Sequence, residues 1–90
     1  MLDELLILKK IKGGDIKAFE ELFRRYYFPL CCYAAGITGQ MAVAEEIVEE
    51  LFYVLWKERE RLQIFQSVKS YLYRATRNQS LQYCEHEEVR

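Results

Sequence analysis

Apolar residues recur at helical spacing along nearly the whole chain. Leu2, Leu5, Leu6, Leu8 and Ile11 predict a short helix over about residues 2–12. Gly13-Gly14 stops it, and Asp15 is a good N-cap for the next helix. Ile16, Phe19, Leu22, Phe23, Tyr26 and Leu30 then form one apolar stripe on a helix of about 20 residues. Pro29 lies inside that pattern, where the lost backbone donor should bend or tighten the helix. The helix is expected to end near Gly36, with Gly36 to Gln40 as a turn. A third helix is predicted over about residues 41–59, burying Met41, Ala44, Ile47, Val48, Leu51, Phe52 and Leu55. A connector follows from Glu60 to Phe65, with Leu62, Ile64 and Phe65 available to pack. Ser67 or Gln66 opens a last helix running to about Cys84. Val68, Leu72, Ala75 and, at the margin, Tyr71 face inward, whereas Lys69, Tyr73, Arg74 and Arg77 face outward. No segment alternates with strand period and no repeat appears. The expected fold is all-α: a small helical bundle of three long helices plus a short N-terminal one.

Composition narrows this picture. Ninety residues suit one domain, so residues 1–90 are read as a single unit. Four Gly and one Pro leave few breaks, which argues against a many-turned β fold. Hydrophobic residues at 51% exclude a disordered chain. No apolar run reaches the roughly 18 residues of a membrane span. At the start, acidic residues precede the lysines, the wrong order for a secretory signal. The cysteines, Cys31, Cys32 and Cys84, are odd in number with two adjacent, so a disulfide framework is not expected. They read as small packing residues in a reducing compartment, and the expected location is the cytoplasm.

Charge adds the first functional hint. The net charge is only −1, but its distribution is uneven. Residues 41–56 carry Glu45, Glu46, Glu49 and Glu50 with no basic residue. Residues 57–84 hold six basic residues against two acidic ones, Glu58 and Glu60. The end turns acidic again at Glu85, Glu87 and Glu88. The four glutamates fall at i, i+1, i+4 and i+5, so they are expected to share one face opposite the buried stripe. Two surfaces of opposite sign could dock two partners, although solvated helix faces would look the same.

No catalytic constellation is present. Nucleophile arrangements need a histidine held by a rigid element, whereas the single histidine, His86, lies among glutamates at an end expected to fray. Gly13-Gly14 lacks the lysine of a phosphate-binding loop. Carboxylates bind hard cations, but a bundle's metal ligands point inward and these point outward, so no metal and no cofactor are expected. The chain is read as a non-enzyme. The last helix is more informative. Its outer residues mix Tyr71, Tyr73, Tyr83, Arg74, Arg77 and Asn78. Guanidinium groups pair with phosphates, aromatic faces stack on unpaired bases and an amide can read a base edge. Packing tyrosines and solubilising arginines remain the plainer account of the same residues.

Four pieces of the sequence, in order, resemble region 2 of extracytoplasmic-function sigma factors of bacterial RNA polymerase. Gly14-Asp15, Ala18-Phe19, Leu22-Phe23 and Tyr26 look like that family's opening motif. Ala44-Glu45-Glu46-Ile47-Val48-Glu49-Glu50-Leu51-Phe52 looks like its acidic run, and Leu55-Trp56-Lys57-Glu58-Arg59 follows at the family's spacing. Tyr71-Leu72-Tyr73-Arg74-Ala75-Thr76-Arg77-Asn78 looks like its promoter-binding helix. Each piece alone is weak; together they span about residues 8–84.

The resemblance implies a transcription-initiation domain. The acidic helix would dock on the clamp helices of the polymerase's largest subunit through Glu45, Glu46, Glu49, Glu50, Leu55 and Trp56, with Trp56 equally readable as core. The last helix and the loop beside it would recognise and melt the promoter −10 element on its non-template strand. Lys69, Arg74 and Arg77 would hold phosphates, Tyr71 and Tyr73 would stack or pack, and Asn78 would contact or support the base site. An anti-sigma factor is an implied partner. The chain departs from the family after Asn78: Gln82 replaces a usual aspartate, Glu85 stands where a base is usual, and the closing glutamates repel phosphate. That favours an alternative in which a degenerate sigma-like module binds proteins without recognising DNA. Whole members also carry a linker and a second domain that reads the −35 element. Neither is in this sequence, so a domain cut from a longer protein is the expectation.

Overall fold

The computed structural model describes residues 3–64 and 67–89 of the chain, leaving out the Val89 side chain. Leu2, Phe65 and Gln66, which enter the sequence reading, lie outside the described residues. The architecture is the expected all-α bundle: α1 (Glu4–Lys12), α2 (Ile16–Thr38), α3 (Met41–Lys57), a short 3-10 turn (Arg59–Arg61) and α4 (Val68–Val89).

Local chemistry sets the helix starts. The Asp3 carboxylate accepts from the Leu5 backbone N–H at 3.1 Å and opens α1. Asp15 does the same for α2, accepting from Lys17 and Ala18. Ser67 opens α4, its hydroxyl accepting from the Ser70 N–H at 3.1 Å. Helix ends depart more from expectation. Gly36 does not break α2; the helix runs two residues further, to Thr38. Gly39 is the terminator, at φ 79° in the left-handed region that a side chain disfavours. Its N–H reaches the Ala35 carbonyl at 2.8 Å. Thr38 steadies the last turn by donating its hydroxyl to the Ala34 carbonyl. At the other end of the chain, α4 continues past Cys84 to Val89.

The core is one cluster contributed by every helix, with α2 packed against α1, α3 and α4. Phe52 sits at its centre, with Phe19 and Phe23 meeting it edge-on at 6.1 and 5.0 Å. Such offset ring pairs add stability beyond the area they bury. Several expected core positions turn out differently. In α1 the buried side is Ile7, Leu8 and Ile11, and Leu5 and Leu6 are exposed. Ile16 and Met41 are exposed because each stands at a helix start, beyond its neighbour's reach. In α4 the inner side is Val68, Leu72, Thr76 and Ser80, one residue every turn, while Ala75 is half-buried. Buried Ser80 is satisfied locally by donating to the Thr76 carbonyl at 2.7 Å.

The short α1 is fastened by a polar clamp. Tyr26 donates its phenol to the Glu4 carboxylate at 2.6 Å, and Arg25 donates to it at 2.9 Å. Arg25 also reaches Glu21, one turn back. Burial, with Glu4 close by, pushes the Tyr26 phenol above its usual range.

Candidate functional site

Helix α3 presents its acidic side to solvent. Glu45, Glu46, Glu49 and Glu50 are all exposed. They do not form one narrow face, however. At about 100° per residue the four glutamates spread over an arc of about 140° around the helix, so they divide into two pairs flanked by two different grooves. Glu46 and Glu50 rim a groove of about 430 Å³ between α3 and α4. Its other walls are Val43, Ile47, Leu51 and Val54, with Gln79 and Tyr83 from α4. Glu49 instead edges an aromatic cleft of about 350 Å³ between α2 and α3, lined by Phe19, Phe23, Phe52, Tyr53 and Trp56. There it accepts a long hydrogen bond, 3.3 Å, from the Tyr27 phenol.

Two residues expected on this docking face behave differently. Leu55 is 2% exposed and belongs to the core. It lies on the same inner stripe as Val48 and Phe52, so it supports α3 from within and cannot meet a partner. Trp56 is part core and part surface. Its ring packs on Phe19 at 5.1 Å, its other contact is the Arg59 guanidinium at 4.2 Å, and it remains half-exposed. Val43, Val54 and Tyr53 escaped the sequence reading. They lie off the main stripe, yet the helix is apolar around a wider arc than core packing alone requires.

Helix α4 presents the opposite charge. Tyr71, Arg74 and Asn78 fall at i, i+3 and i+7 on its outer side, all exposed. Lys69, Tyr73 and Arg77 form a second stripe at i, i+4 and i+8. Its middle member corrects an expectation. Tyr73 is half-buried and packs on the core, its ring against Tyr33 of α2 at 5.1 Å. Tyr71, expected at the inner margin, is exposed at 36%. The described ion pairs join Arg25 to Glu4 and Glu21, and Arg61 to Glu58. None of these described pairs engages Lys69, Arg74 or Arg77. Of the three free thiols, Cys31 is buried and pushed up by that burial, Cys84 donates to the Ile37 carbonyl at 3.4 Å, and Cys32 is exposed.

The glutamates of α3 thus lie beside the cations Lys69, Arg74 and Arg77 of α4, and no described ion pair joins the two sets. The family model described as Sigma-70 region 2 matches residues 22–88, which takes in α3, α4 and most of α2. The chain belongs to the sigma-70 region 2 family. This is a family of transcription-factor domains, not of enzymes. Helix α1 precedes the matched stretch. A solved structure, the NMR structure of the complex formed by an engineered region 2 of sigmaE with GTAAAA, shares the fold at a TM-score of 0.80. The match covers 97% of this chain and 90% of that one, at 21% sequence identity. No curated protein matches the chain in sequence. The region 2 fold therefore stands here on a largely different set of side chains. Among the described residues, no helix is long and apolar enough to cross a membrane.

Proposed function

We infer that this region 2 domain is of the extracytoplasmic-function type and works in transcription initiation. Its α3 helix binds RNA polymerase core, and its α4 helix recognises the promoter −10 element and holds it open. The observation that carries this reading is the pair of opposite-sign faces on neighbouring helices, each with its charges unpaired.

Each face suits one partner. On α3, Glu46 and Glu50 rim an apolar groove, a combination that accepts a helix bearing apolar residues flanked by arginines. That is the chemistry expected of the clamp helices of the polymerase's largest subunit. Glu45, Glu49 and the exposed part of Trp56 widen the contact toward α2. An anti-sigma factor would inhibit by covering the same groove. On α4, Arg74, Arg77 and Lys69 pair with phosphates, while Tyr71 and Asn78 meet an unpaired base of the non-template strand. The sigmaE domain solved with GTAAAA makes single-stranded DNA a fitting ligand class. A domain that acts on polymerase and promoter would do so in the cytoplasm.

The test is binding of single-stranded DNA against salt. The parent domain should lose affinity steeply as salt rises, and Arg74→Ala/Arg77→Ala should bind weakly with a flatter slope. A second reading is favoured by exposed Glu85, Glu87 and Glu88, which end α4 with negative charge. On that reading the domain docks on proteins and holds no DNA. Core capture without any salt-dependent DNA binding would select it.

A further inference from the structure

Helix α1 precedes the stretch that the family model matches, and no role above uses its outer side. Its inner side is Ile7, Leu8 and Ile11. The rest of its surface carries Leu5 and Leu6, 38% and 42% exposed, followed by exposed Lys9, Lys10 and Lys12. Leu5, Lys9 and Lys12 fall at i, i+4 and i+7 and stand in one line. They also line an open cleft of about 660 Å³ with Leu8, Leu62 and Ile64. The hydrogen bonds from Tyr26 and Arg25 to Glu4 fasten α1 to its own α2, so this apolar and basic side is held outward as a fixed surface.

The groove between α3 and α4 is its complement. There the apolar residues are Val43, Ile47, Leu51 and Val54, and the charges are Glu46 and Glu50. No described ion pair engages Lys9, Lys12, Glu46 or Glu50. The spacing matches as well as the sign. Along their helix axes Lys9 and Lys12 are about 4.5 Å apart, and Glu46 and Glu50 about 6 Å. Leu5 stands about 8 Å from the middle of the lysine pair, and Val54 about 9 Å from the middle of the glutamate pair. A helix laid with its lysines on the glutamates therefore sets its leucines on Leu51 and Val54.

We propose that the domain associates with a second copy of itself, α1 of one copy lying in the α3–α4 groove of the other. Lys9 and Lys12 meet Glu46 and Glu50, and Leu5 and Leu6 cover Leu51 and Val54. Unlike surfaces meet, so the contact is heterologous. It is small, which suits a transient association that depends on concentration. The consequence rests on the reading of this groove as the docking site for polymerase core: self-association covers the site, and core must displace the second copy.

The test is sedimentation velocity of the parent at up to about 1 mM, the weak end of specific affinity. The mass should rise above that of one chain with concentration and fall back as salt rises. Lys9→Glu/Lys12→Glu and Glu46→Lys/Glu50→Lys should each weaken association by at least about tenfold. An equimolar mixture of the two variants should restore it, because each surface then meets one of opposite sign. In the parent, dilution should move the methyl resonances of Leu5, Leu6, Leu51 and Val54 together, whatever the stability of the variants. Lys9→Glu/Lys12→Glu should capture polymerase core at least as well as the parent. A parent that stays monomeric overturns the proposal, and core capture by that parent leaves the docking reading standing. Parent-like association in either variant, a mixture of folded variants that stays apart, or dilution shifts confined to other residues also overturns it. Association rescued in the mixture, with no core captured by Lys9→Glu/Lys12→Glu, upholds the contact and overturns the docking reading.

Discussion

Helices α3 and α4 share one groove, yet their outer faces are opposites. Helix α3 carries four glutamates and meets no cation before Lys57. Helix α4 carries Lys69, Arg74 and Arg77 and meets no acid before Glu85. Faces so close and so complementary could have neutralised each other, but no described ion pair crosses between them. The groove walls between them, Ile47 and Leu51 on one side and Gln79 and Tyr83 on the other, are uncharged, and Glu46 and Glu50 stand at the rim. Two surfaces built this way can be disabled one at a time.

The comparison fails most completely when the support beneath both faces is removed. Phe52 anchors α3 from within and meets Phe19 and Phe23 of α2, the helix that α4 also packs on. Phe52→Ala should cost about 3–5 kcal/mol, a large part of the roughly 5–15 kcal/mol that a small domain has. Thermal unfolding followed by circular dichroism should show the transition near or below room temperature, with both binding activities lost together. Glu46→Lys/Glu50→Lys separates the faces. It should weaken core capture by at least about tenfold and leave the melting curve and single-strand binding in place. Arg74→Ala/Arg77→Ala is the mirror case. Its salt slope for DNA should fall by about two, one per phosphate contact removed, while core capture persists.

Smaller effects sharpen the part of the molecule that serves neither face directly. Tyr26→Phe removes the phenol that fastens Glu4 and should cost about 1–2 kcal/mol at neutral pH, since the site is partly solvated. The folded state raises the Tyr26 pKa, so it favours the neutral phenol. Stability from this group is complete below the ordinary tyrosine value of 10.0 and is lost as pH rises above it. A urea titration series across that range should show a decline in the parent that Tyr26→Phe lessens. Gly36→Ala should gain about 0.5–1 kcal/mol, because residue 36 is helical. Its new methyl would have no neighbour within 4 Å. Gly39→Ala should lose about 1 kcal/mol or more from the strained left-handed cap.

That glycine pair shows where sequence reading succeeds and where it stops. The helices, their order and the N-caps at Asp15 and Ser67 were legible because periodicity and capping are local. Which of two glycines ends α2 was not, since Gly36 and Gly39 differ only in the backbone angle that packing selects. The signs of the two faces were legible from charge counts. Their shapes were not. The four glutamates read as one face until the grooves on either side of α3 divided them. Leu55 read as buried from periodicity and as a docking residue from resemblance, and burial decided for the core. The Tyr33–Tyr73 ring contact carried no signal at all, because the two residues stand forty positions apart on different helices. Interhelical neighbours of that kind are fixed by packing and not by any pattern along the chain.

The central claim is that α3 and α4 serve different partners. Its most direct test is capture of RNA polymerase core by the immobilised domain, run beside Glu46→Lys/Glu50→Lys and Arg74→Ala/Arg77→Ala, with folding checked by circular dichroism. The account predicts capture by the parent and by the arginine variant, and loss in the glutamate variant alone. Equal loss in both variants, or no capture by a folded parent, would contradict it.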